Sequence, residues 1–200
     1  MDYIFQIVVL ILSAAIHEYM HAWAAWRLGD PTAKNAGRLT LNPLAHLEWF
    51  GSFFLPLIMI MIPGNSFIFG WAKPVPYNPN FLNDQKYSEA KVALAGPLAN
   101  LALALLFGLS LRFLPFFNID FLKLLGQIIY INLILMVFNL LPIPPLDGSK
   151  ILAVFLPERA RTRLLNSERG SFIFIVIFVM IGWPILIPII DGLFKLIVGS

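Results

Sequence analysis

The sequence predicts an all-α polytopic membrane protein: four clear transmembrane helices, two short membrane segments that would raise the number to six, and a small strand-like element near residues 67–75. Three observations predict it. Of 200 residues, 59% are apolar and 12% charged, and mean hydropathy is +0.81, whereas a soluble domain carries about 25% charged residues. Several uncharged runs reach the roughly 20 residues that cross a bilayer core as helix. These runs lack the period-2 alternation of a membrane barrel, and only helices or closed barrels satisfy backbone polar groups in lipid. Such a composition excludes a soluble enzyme, a nucleic-acid binder and a disordered chain. The net charge of +3 is what basic cytoplasmic loops produce. The lack of cysteine excludes disulfides and thiolate metal sites.

The elements follow in chain order. Tyr3 to Trp26 is the first span, and with no basic region or cleavage site before it, it reads as a retained helix rather than a removed signal peptide. Trp49 to Ile62 is apolar but only fourteen residues long, with Pro56 inside it. It either dips in and returns or crosses; runs of that length are more often re-entrant. Phe67 to Val75 has the aromatic and β-branched content of a short strand. Lys73 to Lys91, rich in proline and asparagine, reads as an extended connection, with Ser88 as N-cap of the next helix. Lys91 to Arg112 encloses an uncharged second span, and Leu124 to Leu146 forms a third that ends among Pro142, Pro144 and Pro145. Ile151 to Leu156 is a second short segment, and residues 170–190 form the C-terminal membrane helix. The whole chain, 1–200, reads as one domain with its motif-bearing core in 3–150. Basic residues in 27–48 and 150–169 place both stretches in the cytoplasm, and the re-entrant reading of 49–62 keeps the count of crossings between them even.

Ionisable groups inside apolar spans are costly and mark function. Two places show them: His17, Glu18 and His21 in the first helix, and Asp147 at the end of NLLPIPPLDG. Histidines four apart project from one helical face, so both rings can meet one ion. Glu18, on the adjoining turn, is placed to deprotonate an attacking water without ligating the metal. This is the HExxH arrangement of zinc hydrolases; the plainer alternative is a pair of interfacial histidines beside a snorkelling glutamate. A catalytic zinc site wants three protein ligands. Asp147 and His46 are the candidates for the third, and Asp147 is favoured because a carboxylate in a proline-rich helix break is hard to explain unless it meets a cation.

Together HEYMH in the first helix, GPLAN at 96–100 and NLLPIPPLDG at 139–148 resemble the site-2 protease family of intramembrane zinc metalloproteases. GRLTLNPLAHLEWFG and FGWAKPVPYNP look like its small prokaryotic branch, which lacks extra soluble domains. The resemblance implies one zinc per chain held by His17, His21 and Asp147, with Glu18 as acid/base. It also implies that Asn139 helps to hold substrate or the reacting carbonyl. One departure is LEWFG after His46, where relatives tend to carry an Asp-Pro pair.

The expected activity is hydrolysis of peptide bonds within or near transmembrane helices of membrane-protein substrates. The expected partners are such a protein or peptide and the lipid bilayer, with no nucleic acid. The expected location is the cytoplasmic membrane. Counting from Arg27, His17 and His21 lie roughly 9–15 Å deep at 1.5 Å per residue, reached from the cytoplasm. Asn100 is a weaker candidate for substrate contact, because an asparagine in an apolar span often just bonds across helices. The 67–75 segment could pair with unwound substrate by edge addition, and Trp71 within it is a substrate-binding candidate that would equally serve as an interface anchor. The rival readings are a transporter, for which no internal repeat is found, and a proteolytically inactive metal-binding relative.

Overall fold

The computed structural model describes residues 3–54, 57, 58, 61, 70, 72–113, 118–167, 178 and 182–199. Among them the regular structure is helical: α1 (Tyr3–Arg27), α2 (Thr32–Asn35), α3 (Gln85–Phe113), α4 (Ile119–Asn139), α5 (Asp147–Ala153), α6 (Glu158–Asn166) and α7 (Trp183–Val198). Short turns of helix at Pro43–His46, Trp49–Phe54 and Pro79–Phe81 punctuate the connections. Three of the helices, α1, α3 from Tyr87, and α4, are long and apolar enough to cross a membrane.

These three helices pack against one another, with α5 on α3 and α7 on both α3 and α4. Small residues let the backbones approach, as in membrane bundles generally. On α1, Ala15, Ala22, Ala24 and Ala25 are buried, and on α3 Ala93 and Ala104 are fully so. Gly108 of α3 receives Ile197 of α7, and a methyl group at 108 would collide with it. The apolar core beneath joins Ile129, Leu133 and Met136 of α4 to Leu186, Ile190 and Ile197 of α7. Tyr130 adds a polar tie, its hydroxyl donating to Asp191 at 3.0 Å. At the other end of α3, Glu89 accepts from Tyr77 at 2.9 Å and from Arg161 of α6 at 3.0 Å.

Several sequence expectations need correction. Ser88 is not a cap: α3 begins at Gln85, Asp84 Oδ1 accepts the Tyr87 N–H at 3.2 Å, and Ser88 is buried inside the helix. The third span stops at Asn139 rather than 146, because the prolines that follow cannot supply the N–H groups a helix needs. The short segment 151–156 is the end of α5 and the turn after it. Residues 170–181 lie outside the described residues except Phe178; the described C-terminal helix is Trp183–Val198, which continues past Pro188. Of 49–62, residues 55, 56, 59, 60 and 62 lie outside the described residues, and Trp49–Phe54 is a short helical turn.

Of the expected strand, 67–69 and Trp71 are outside the described residues. Gly70 and Ala72 to Val75 form no ladder, and Pro74 withholds one donor that a ladder would use. The stretch 72–78 is instead a strap pinned at single points. Lys73 N–H donates to the His46 carbonyl at 2.8 Å, and Arg38 Nη2 donates to the Lys73 carbonyl at 2.6 Å. Asn78 N–H donates to the buried Asp30 at 2.6 Å.

Candidate metal centre

His17 and His21 stand one turn apart on α1, their rings edge to face at 4.6 Å between centroids. Asp147, 130 residues further on, is the first residue of α5. The backbone reverses between Leu140 and Leu146, and Gly148 closes the turn: a methyl there would run into the carbonyls of Leu140 and Leu141. Asp147 Oδ2 thereby comes to 3.1 Å from His17 Nε2 and 3.2 Å from His21 Nε2, which are themselves 2.9 Å apart. Ligand atoms about 2.0–2.1 Å from one tetrahedral ion lie roughly 3.3 Å from each other. The three side chains are those among the described residues that could hold a metal ion together.

The outer ring nitrogens strengthen the fit. His21 Nδ1–H donates to the Val92 carbonyl at 2.7 Å, and His17 Nδ1–H to Asn100 Oδ1 at 2.6 Å. With hydrogens on Nδ1, both Nε2 atoms present lone pairs. Two lone pairs and a carboxylate oxygen at such distances repel unless a proton or a cation sits among them, and the nitrogen, nitrogen and oxygen donor set suits a divalent ion. Gly96 of α3 forms the wall behind it. A methyl at 96 would sit 2.5 Å from His21 Nε2 and 2.6 Å from His17 Nε2, so only glycine lets α3 approach both rings.

Glu18 is held from the opposite direction. Its Oε2 accepts the Val75 N–H of the strap at 2.8 Å. His17, Glu18, Pro74, Asn139 and Pro145 line two neighbouring cavities, of about 330 and about 120 Å³. The smaller one reaches His21 and Asp147, and the larger extends along the apolar side of α1 past Leu10 and Ala14. Asn139 donates one amide hydrogen to its own helix, at the Leu135 carbonyl 2.9 Å away. The second hydrogen of that group remains for another acceptor.

Other expected site residues are placed differently. Asn100 is fully buried, lines neither cavity and bonds to His17. His46, the alternative third ligand, is 1% exposed, lines the larger cavity and donates from Nε2 to the Thr40 carbonyl at 2.8 Å. It stands apart from the cluster that Asp147 completes. Trp71 lies outside the described residues. Sequence reasoning passed over Asn132, Ser13 and Gly96. Asn132 had a signal, a lone amide in the apolar run INLILMVF, and Gly96 sits inside the GPLAN motif.

Comparison with known proteins agrees with this geometry. The model of peptidase family M50 matches residues 5–120 and 115–183. The chain is 37% identical to the Bacillus subtilis protein named "Putative zinc metalloprotease YwhC", over 96% of this chain and 90% of that one. It is 33% identical to "Putative zinc metalloprotease Rip2" of Mycolicibacterium smegmatis, over 85% of this chain and 64% of that one. It is 34% identical to "Putative zinc metalloprotease MJ0611" of Methanocaldococcus jannaschii, over 74% of this chain and 72% of that one. No solved structure matches. With His17 and His21 on an apolar helix meeting Asp147 beside a glutamate, and matches over nearly its whole length, the chain belongs to peptidase family M50, the site-2 proteases.

Proposed function

We propose that this chain is an intramembrane zinc endopeptidase that hydrolyses peptide bonds within or beside transmembrane segments of other membrane proteins. The observation that carries the reading is the convergence of His17 Nε2, His21 Nε2 and Asp147 Oδ2 beside Glu18, with both histidines and Glu18 on a helix apolar enough to cross a bilayer. The zinc metalloprotease names of its relatives support the choice of metal. Zinc held there would supply Lewis acidity and lower the pKa of water to about 7.

The chain's own groups divide the remaining work. Glu18 takes the proton of the attacking water and returns it to the leaving amine, with Val75 N–H keeping its carboxylate oriented between the two transfers. Asn139 directs its second amide hydrogen at the oxygen of the scissile carbonyl. A helical substrate hides its carbonyls in internal hydrogen bonds, so it must unwind to enter the apolar cavity along α1. The basic stretches after α1 and around α6 favour access from the cytoplasmic side of the cell membrane.

The test uses the purified chain in detergent with a transmembrane peptide as substrate. Glu18→Gln should retain one zinc per chain and lose cleavage by a factor of about 10² to 10⁴. Cleavage at the wild-type rate by that variant would overturn the acid/base assignment. A wild-type chain that binds no zinc would overturn the whole reading. Because the sequence has no cysteine, single cysteines at Lys34 and Lys150 would report sidedness in intact cells, and labelling of both from outside would reject cytoplasmic access.

A further inference from the structure

Behind His17, four buried polar side chains form an unbroken chain across three helices: Ser13 and His17 on α1, Asn100 on α3 and Asn132 on α4. None is more than 6% exposed. Asn132 Nδ2 donates to Ser13 Oγ at 3.0 Å and to the Ile128 carbonyl at 2.9 Å. Asn100 Nδ2 donates to Asn132 Oδ1 at 2.9 Å, and Asn100 Oδ1 accepts from His17 Nδ1 at 2.6 Å.

The direction of every bond follows from the far end. A backbone carbonyl only accepts, so the Asn132 atom facing Ile128 must be its NH₂ group. Its oxygen therefore faces Asn100, which answers with its own NH₂ and turns its oxygen towards His17. An oxygen at that place requires the hydrogen of His17 on Nδ1, which leaves the Nε2 lone pair pointing at Asp147. Asn100 Nδ2 also lies 3.5 Å from the Ser13 carbonyl, at the outer limit of a hydrogen bond, against 2.9 Å to Asn132. Without Asn132, only that long contact would oppose a half-turn of the Asn100 amide, which costs nothing in shape. Its NH₂ would then face Nδ1, push the imidazole hydrogen to Nε2 and block the ligand position.

We propose that Asn132 is a positioning residue of the metal centre, which fixes the tautomer of His17 by orienting the amide of Asn100. This inference rests on the metalloprotease reading and deepens it.

Zinc affinity, measured on purified protein by competition with a chelator, provides the test, with no dependence on catalysis. Asn132→Leu should weaken zinc binding about 10-fold or more, as loss of a partner behind a ligating histidine does. Asn100→Asp replaces the amide with a carboxylate, which can only accept and so holds the His17 hydrogen on Nδ1 unaided. In that background Asn132→Leu should change affinity by less than about 3-fold, well below the single-variant effect. Equal losses in both backgrounds would show that Asn132 acts only by packing, and would overturn the proposal. So would an Asn132→Leu variant that binds zinc as tightly as wild type. A readout that needs no variant is the pair of ¹⁵N shifts of the His17 ring in zinc-free wild type: a hydrogen on Nδ1 is expected, and one on Nε2 overturns the proposal. If wild type fails to bind zinc at all, the metalloprotease reading falls and takes this inference with it, whereas zinc-binding wild type with an unaffected Asn132→Leu removes this inference alone.

Discussion

The two histidines of the cluster do the same job and are held in opposite ways. His21 is oriented by one bond to the Val92 carbonyl, a group of the α3 backbone. His17 is oriented through two asparagines from two other helices. The first arrangement is set by the packing of α1 on α3 and survives any change of side chain at 92. The second depends on amide identity at positions 100 and 132. One cluster is therefore held by main-chain geometry on one side and by a mutable polar chain on the other.

Asp147 belongs to both histidines, so its loss should have the largest effect: Asp147→Ala is expected to hold no zinc at concentrations that saturate wild type and to show no cleavage. Stripping the metal with a chelator leaves the ligands in place but removes what they share. At zinc 100-fold above its Kd, the bound form should be more stable than the stripped one by about 2.7 kcal/mol, read as a shift in Tm. Gly96→Ala also strikes both rings at once, because the added methyl meets each Nε2. A loss of about 1–3 kcal/mol in stability is expected, together with weaker zinc binding. Asn100→Leu should separate the two histidines, weakening zinc about 10- to 100-fold by acting on His17 alone. Val92→Ala is the smallest, since the carbonyl that serves His21 remains; a change in zinc affinity beyond roughly 3-fold would break the comparison.

The side chains of the His17, His21 and Asp147 cluster are legible because ionisable groups are expensive in an apolar span. His17 and His21 carry a helical spacing, and Asp147 stands in a proline break with no structural reason to be charged. Three spans were legible from length and charge alone. Their ends were not: hydropathy runs on through Leu140 and Leu141 while the backbone turns, and Asp84 rather than Ser88 caps α3. The strand expected at 67–75 rested on aromatic and β-branched content, which says nothing of whether a partner strand exists. By sequence alone Asn100 could face a cavity or a neighbouring helix. Only the fold decides between these, because its bonding partner Asn132 is 32 residues away on another helix.

The strap over Glu18 has a practical consequence. Val75 stands between Pro74 and Pro76, neither of which has an exchangeable amide. Its deuteron is thus an isolated label resting on the Glu18 carboxylate. The exchange rate of that single position would follow, without any attached dye, whether Glu18 is engaged with the main chain or has turned to a bound peptide.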